Sequence, residues 1–292
     1  MKLHKALKEF KPAKEFFIGI DSDGCVFDSM EVKQKEFFIP LALKQFNLWP
    51  VAGILRKTWE FVNLYSAYRG SNRFISLIRV FEMLTEDEKV KNSGVKLPGT
   101  AELKQWVQSE NKLSNDTLRA YCENINNKDL DKILQWSEAV NNEIGLWLRN
   151  LPPFANVRKA LEIASGEADL VVVSQTPADA IIREWKEHDL EKYVRAIAGQ
   201  EDGTKSEHIR MATAGRYSND RILMVGDAIG DLKAAEANAI HFFPIIPGDE
   251  DESWAKFIIE AYPRFIEGRY NQDYEQLLIA DFRKSLPEKP GW

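Results

Sequence analysis

Two short stretches concentrate acidic side chains where an apolar run gives way to glycine. The first is Asp21-Ser22-Asp23-Gly24, directly after Phe16-Phe17-Ile18-Gly19-Ile20. Two carboxylates two residues apart can share one metal-bound, phosphate-facing loop, one acting as nucleophile and the other as proton donor. Asp and Gly also suit an ordinary surface turn. A calcium loop needs a preceding helix and glycine at its sixth position; here a strand-like run precedes and glycine is fourth, so calcium is excluded. The second stretch is Gly226-Asp227-Ala228-Ile229-Gly230-Asp231, after Ile222-Leu223-Met224-Val225. Asp227 and Asp231 lie one helical turn apart and present hard oxygen ligands of the kind that suit Mg²⁺; a helix cap at Asp227 is the simpler alternative. Two further pieces gain meaning beside these. In Val173-Ser174-Gln175-Thr176-Pro177, a hydroxyl and free amides entering a helix can hold a phosphate oxygen, unless Thr176 merely caps that helix. Lys205, in Gly203-Thr204-Lys205-Ser206, lacks the spacing of a nucleotide-binding P-loop and by itself reads as a solvated lysine.

The elements that must carry these residues alternate. Short apolar runs at Phe16–Ile20, Leu170–Val173, Val194–Ala198, Ile222–Val225 and Ile240–Ile246 read as buried strands. Helical patterns lie between them, one entered at Pro177, one opened by Ser206, one over Asp231–Asn238. Strand alternating with helix predicts an α/β core, a doubly wound parallel sheet, whose carboxyl edge is where ligands bind. Residues 29–150 differ, with apolar and aromatic residues at helical spacing and no strand-like run. Five of the eight tryptophans fall there (Trp49, Trp59, Trp106, Trp136, Trp147), most expected in helix packing. The expected organisation is a core of residues 1–28 and 151–248, an all-helical insertion over 29–150, and a helical extension over 249–292.

The chain has 292 residues, a formal net charge of −6 and two cysteines, Cys25 and Cys122. The acidic balance argues against nucleic-acid or anionic-membrane partners, which need a basic surface. Two distant cysteines give no disulfide framework, and His4, His188, His208 and His241 have no metal-binding spacing. Lysines at 2, 5, 8, 11 and 14 read as a solvated face. The apolar run behind them is too short for a signal peptide or a membrane span, so a cytoplasmic protein is expected.

Taken together, strand–Asp-x-Asp-Gly, strand–Ser, Lys and strand–Gly-Asp-x-x-x-Asp, in this order, resemble the haloacid dehalogenase superfamily of aspartate-nucleophile phosphohydrolases. The resemblance covers roughly residues 15–28 and 151–247. Asp21 to Ser29 looks like the family's first motif and flap, residues 29–150 like its helical cap of the C1 type, and Pro152 to Val157 like the re-entry into its Rossmann-like core. The resemblance implies that Asp21 is the nucleophile and Asp23 the acid and base. It implies Mg²⁺ held by the Asp21 carboxylate, the Asp23 backbone carbonyl and the Asp227 carboxylate, with Asp231 behind them. Ser174 and the Gln175 amide would hold phosphate oxygens and Lys205 would neutralise charge. Ala228 stands where many relatives have a polar residue, leaving the ligands intact.

Within the superfamily, Asp23 argues against dehalogenation and phosphonate cleavage, whose enzymes lack this acid. A phosphosugar mutase keeps the same pair and stays open, as does an inactive binding protein on the same fold. A large cap favours a small phosphorylated metabolite as substrate. In the segment Tyr65–Arg73, a glycine and two arginines interrupt a helical pattern. Arg69 or Arg73 is expected to read the substrate's leaving group, against a solvent-facing turn.

Overall fold

The computed structural model describes residue 7 and residues 9–292. The expected lysines at 2, 5 and 8, and His4, lie outside the described residues; Lys11 and Lys14 are exposed. Five strands form one parallel sheet: β1 (Phe16–Ile20), β2 (Ala168–Val173), β3 (Ala196–Ala198), β4 (Ile222–Gly226) and β5 (His241–Pro244). Their order is β3-β2-β1-β4-β5, so β1 is central and its two neighbours are the strands that precede Ser174 and Asp227. Ile20 pairs with Val172 on one side and Val225 on the other. That register brings the three strand ends level.

The two-residue period of each strand sorts the core into two faces. Ile18, Ile20, Leu170, Val172, Leu223 and Val225 pack on one side with Leu161, Ile181 and Trp185. Phe17, Val171, Val173, Ile222 and Met224 pack on the other with Ile209, Leu232 and Phe282. Both faces are covered, which makes the sheet doubly wound. β3 is shorter than the expected 194–198: it begins at Ala196, two residues after a 3₁₀ turn at Glu191–Tyr193. The helix expected from Ser206 begins at Lys205, capped by Thr204 with Glu207 bonding back, an arrangement that satisfies orphan amides from both ends.

Two compact units result. One holds the described residues up to Met30 together with Arg149–Pro287, the other Glu31–Leu148 with Glu288–Trp292. The residues from 249 to 287 therefore belong to the sheet-bearing unit. Trp254, Phe257, Phe265 and Leu278 join one side of its core, and Ile279 and Phe282 the other. The second unit is helical, its longest helix being Lys128–Trp147. Trp59, Trp106 and Trp136 are buried in its centre, whereas Trp49 and Trp147 are exposed. Trp292 packs edge-on against Phe61 of this unit. No described helix is long and apolar enough to cross a membrane.

Candidate active site

Asp21 is the first residue beyond β1, and its amide still bonds Val225 O at 3.0 Å. The main chain therefore fixes it between β2 and β4. The turn after it is tight: Val26 N and Phe27 N both reach Ser22 O, and Gly24 N reaches Phe27 O. Gly24 has φ 77°, a left-handed conformation that glycine adopts without a Cβ clash. Two buried tryptophans brace the turn from outside. Trp185 Nε1 donates to Ser22 Oγ at 3.0 Å, and Trp254 Nε1 to Cys25 O at 2.8 Å.

The Asp227 loop is built on a close approach. A Cβ at Gly226 would lie 2.4 Å from Asp231 Cγ, so only glycine lets the Asp231 side chain fold beneath the strand end. Asp227 does not cap the following helix, Ile229–Ala237. Ala228 occupies the cap position, and Asp231 Oδ2 accepts the Ala228 amide at 3.1 Å.

Carboxylate oxygens of Asp21, Asp227 and Asp231 all lie within 4.8 Å of one another, and all three residues are buried. Lys205 Nζ sits 2.8 Å from Asp21 Oδ2 and 2.5 Å from Asp231 Oδ1. Burial is the main force on Asp21; Lys205 opposes it and Asp227 adds to it, leaving the carboxyl pushed up to about 6. Burial likewise raises Asp231, again against Lys205. For Lys205, burial works against the charge, but Asp21 and Asp231 outweigh it and keep the ammonium protonated far above the usual lysine range. Three buried carboxylates facing one ammonium leave a local excess of negative charge. A hard, oxygen-seeking divalent cation fits that donor set. Asp231 has one oxygen on Lys205 and one on the Ala228 amide, whereas the other two acids approach from the ends of β1 and β4.

Asp23 is half-buried and differently held. Ser29 Oγ donates to its Oδ1, and Thr176 Oγ1 donates to its Oδ2 at 2.6 Å. The expected cap role of Thr176 is thereby corrected. Pro177 occupies the cap position of the helix Ala178–Glu187, whose first amide bonds Glu201 Oε2. Ser174 is buried beyond β2, with its amide on Ala198 O and its Oγ accepting the Thr176 amide. The Gln175 side chain donates to Gly203 O at 2.9 Å, tying this loop to the one that carries Lys205. The bonds of Thr176 and Ser29 to Asp23, and of Trp185 and Trp254 to its turn, are not foreseen in the sequence; the hydroxyl residues directly flanking the acidic loop and Pro177 are the available signal.

Arg69 and Arg73 belong to the helical unit. Arg69, 3% exposed, donates to Leu64 O. Arg73 Nη1 bonds Asn141 Oδ1 at 2.8 Å and Ser137 O at 3.2 Å, and its guanidinium lies over the Phe38 ring. Burial pushes Arg73 down to about 10. The burial of Arg69 rules out the solvent-facing turn for that residue.

A family model of haloacid dehalogenase-like hydrolases matches residues 90–245, more than half of the chain. The chain belongs to the haloacid dehalogenase-like hydrolase family. The matched span includes Ser174, Lys205, Asp227 and Asp231; Asp21 and Asp23 precede it and reach the site through β1. Among solved structures, a predicted phosphoglycolate phosphatase from Haemophilus somnus 129pt is similar with a TM-score of 0.50 and 15% identity, over 85% of this chain and 98% of that one. A haloacid dehalogenase-like family hydrolase from Xanthomonas campestris gives 0.46 and 10%, over 89% and 96%. A haloacid dehalogenase-like family protein from Streptococcus pneumoniae gives 0.43 and 13%, over 82% and 90%. At these identities the likeness is one of fold. No curated protein matches.

Proposed function

We propose that this hydrolase is a Mg²⁺-dependent phosphatase that cleaves a small-molecule phosphomonoester through an aspartyl-phosphate on Asp21. The observation that carries the reading is the buried Asp21 carboxylate at the end of the central strand, 2.8 Å from Lys205 and within 4.8 Å of Asp227 and Asp231. An anionic nucleophile meets an anionic phosphate only where positive charge offsets their repulsion. Lys205 supplies one such charge. The Asp21 and Asp227 carboxylates and the Asp23 main-chain carbonyl would hold Mg²⁺, which supplies charge neutralisation and orientation when bound.

In the first half-reaction an Asp21 oxygen attacks phosphorus. The bond from phosphorus to the leaving oxygen breaks with its electron pair, and that oxygen takes the proton of Asp23. In the second, a water oxygen attacks the same phosphorus and gives its proton to Asp23. The bond to Asp21 breaks, its electrons return to the carboxylate, and free phosphate remains. Ser174 Oγ and the Gln175 amide are suited to hold non-bridging oxygens. The helical unit would act as a cap that keeps bulk water from the acyl-phosphate.

The test is hydrolysis of p-nitrophenyl phosphate with and without Mg²⁺, for the wild type and Asp21→Asn. The reading expects turnover that EDTA abolishes reversibly and that Asp21→Asn lowers by at least about 10³-fold. Full activity after chelation, or an active Asp21→Asn enzyme, would contradict it. A panel of phosphorylated metabolites, scored for free phosphate against isomerised sugar phosphate, then assigns the substrate class.

A further inference from the structure

Resting on that phosphatase reading, we infer that Thr176 is a positioning residue that aims the Asp23 carboxylate at water during breakdown of the aspartyl-phosphate. Asp23 accepts one hydroxyl on each oxygen, from Ser29 and from Thr176. Ser29 lies six residues along the same chain segment. Thr176 reaches Asp23 across 153 residues of sequence, from the loop beyond β2. A carboxylate held by one oxygen can swing about its last torsion, which is a broad, shallow rotor. Hydroxyls on both oxygens restrain that torsion and hold the carboxylate plane.

The loop around Thr176 is arranged to free that hydroxyl. A Thr just before a helix ordinarily turns its oxygen onto the first helical amides. Here Glu201 accepts from the Ala178 amide instead. Pro177, which has no N–H, stands at the cap position, and a residue before proline is held extended. The Thr176 main chain is fixed at both ends, its amide on Ser174 Oγ and its carbonyl on the Gln200 amide. The same loop that presents Ser174 therefore sets the orientation of the acid–base residue.

p-Nitrophenyl phosphate separates the two half-reactions. Its leaving group is a stabilised phenolate that needs no proton, so kcat/KM reports attack by Asp21 without help from Asp23. The value of kcat also contains water attack, for which Asp23 must accept a proton. Thr176→Val keeps the side-chain shape and removes the hydroxyl. It should lower kcat about 10- to 100-fold, within the range of a misaligned general base, with kcat/KM changed less than about threefold. KM should fall in parallel, and a rapid burst of about one nitrophenolate per site should precede the slowed steady state. Thr176→Ser, which retains the oxygen, should restore kcat. A parallel fall of kcat and kcat/KM without a burst would make Thr176 a structural brace and overturn the inference, as would wild-type kinetics in Thr176→Val or failure of Thr176→Ser to restore kcat. If Asp21→Asn stays active, the phosphatase reading itself has failed; if Asp21→Asn is silent while Thr176→Val is unaffected, only the role of Thr176 has.

Discussion

Lys205→Met offers the sharpest view of the electrostatics. The substitution keeps an unbranched side chain of similar length and removes the ammonium that lies 2.8 Å from Asp21 and 2.5 Å from Asp231. Removing one partner of a buried ion pair costs about 3–5 kcal/mol, because the remaining charge is left without compensation. In a domain of this size each kcal/mol lowers the midpoint by roughly 2–4 °C, so a loss of roughly 6–20 °C is expected at pH 8 without metal. The loss should depend on pH in a definite sense. Asp21 is pushed up to about 6 in the fold, mainly by burial, from an ordinary value of 3.8. Between those values the native state binds more protons than the unfolded chain, so metal-free stability falls as pH rises through that window. Without Lys205 the carboxyls rise further, so the window extends upward and the variant loses more at pH 8 than at pH 5. At pH 5 the acids are largely protonated and the missing ammonium matters less. Differential scanning calorimetry in EDTA at both pH values measures this directly. An equal loss at pH 5 and pH 8, or none at either, would refute the argument that buried charge at this cluster drives the effect.

Four other outcomes follow from the same geometry. Asp227→Ala, which removes a direct ligand, should weaken Mg²⁺ binding by more than the roughly 10- to 100-fold typical of losing a group that only supports a ligand, read by titrating activity against Mg²⁺, while Ca²⁺ should inhibit the wild type because its larger, looser shell disturbs in-line geometry. Gly226→Ala places a Cβ 2.4 Å from Asp231 Cγ; circular dichroism melts should show about 1–3 kcal/mol of destabilisation, or more, and turnover should be lost with it. Trp254→Phe leaves the Cys25 carbonyl without its indole donor, which should cost about 1–3 kcal/mol in urea unfolding and lower kcat by loosening the Asp23 turn.

Some of this was legible from local pattern and some was not. β1 announces itself because five apolar residues end abruptly in Asp-Ser-Asp-Gly, and β4 does the same before Gly226. The order of such strand ends makes an α/β sheet with its acids on one edge the economical reading. Lys205 is weaker locally. Nothing near it in sequence explains a buried ammonium, and its meaning comes from Asp21 and Asp231, which lie far away along the chain. Thr176 was obscured by its neighbour, since a Thr-Pro pair before a helix matches the common capping pattern while its hydroxyl serves a residue 153 positions away. The helical periodicity of residues 249–292 was plain, yet periodicity carries no record of which surface a helix covers. That Trp254 braces the Asp23 turn emerges only from packing. The segment Tyr65–Arg73 is less exposed than a glycine-interrupted turn suggests, because Asn141, Ser137 and the Phe38 ring draw Arg73 inward.

Whether Asp21 carries the phosphoryl group is addressed by one trapping measurement that needs no knowledge of the physiological substrate. Enzyme turning over p-nitrophenyl phosphate with Mg²⁺ is quenched in acid and reduced with borohydride, which converts an aspartyl-phosphate to homoserine. Peptide mass spectrometry then locates the reduced residue. An aspartyl-phosphate on Asp21 yields homoserine at position 21, dependent on substrate and absent from Asp21→Asn. Nitrophenolate release with Asp21 unmodified, or a phosphorylated intermediate at any other residue, would contradict it.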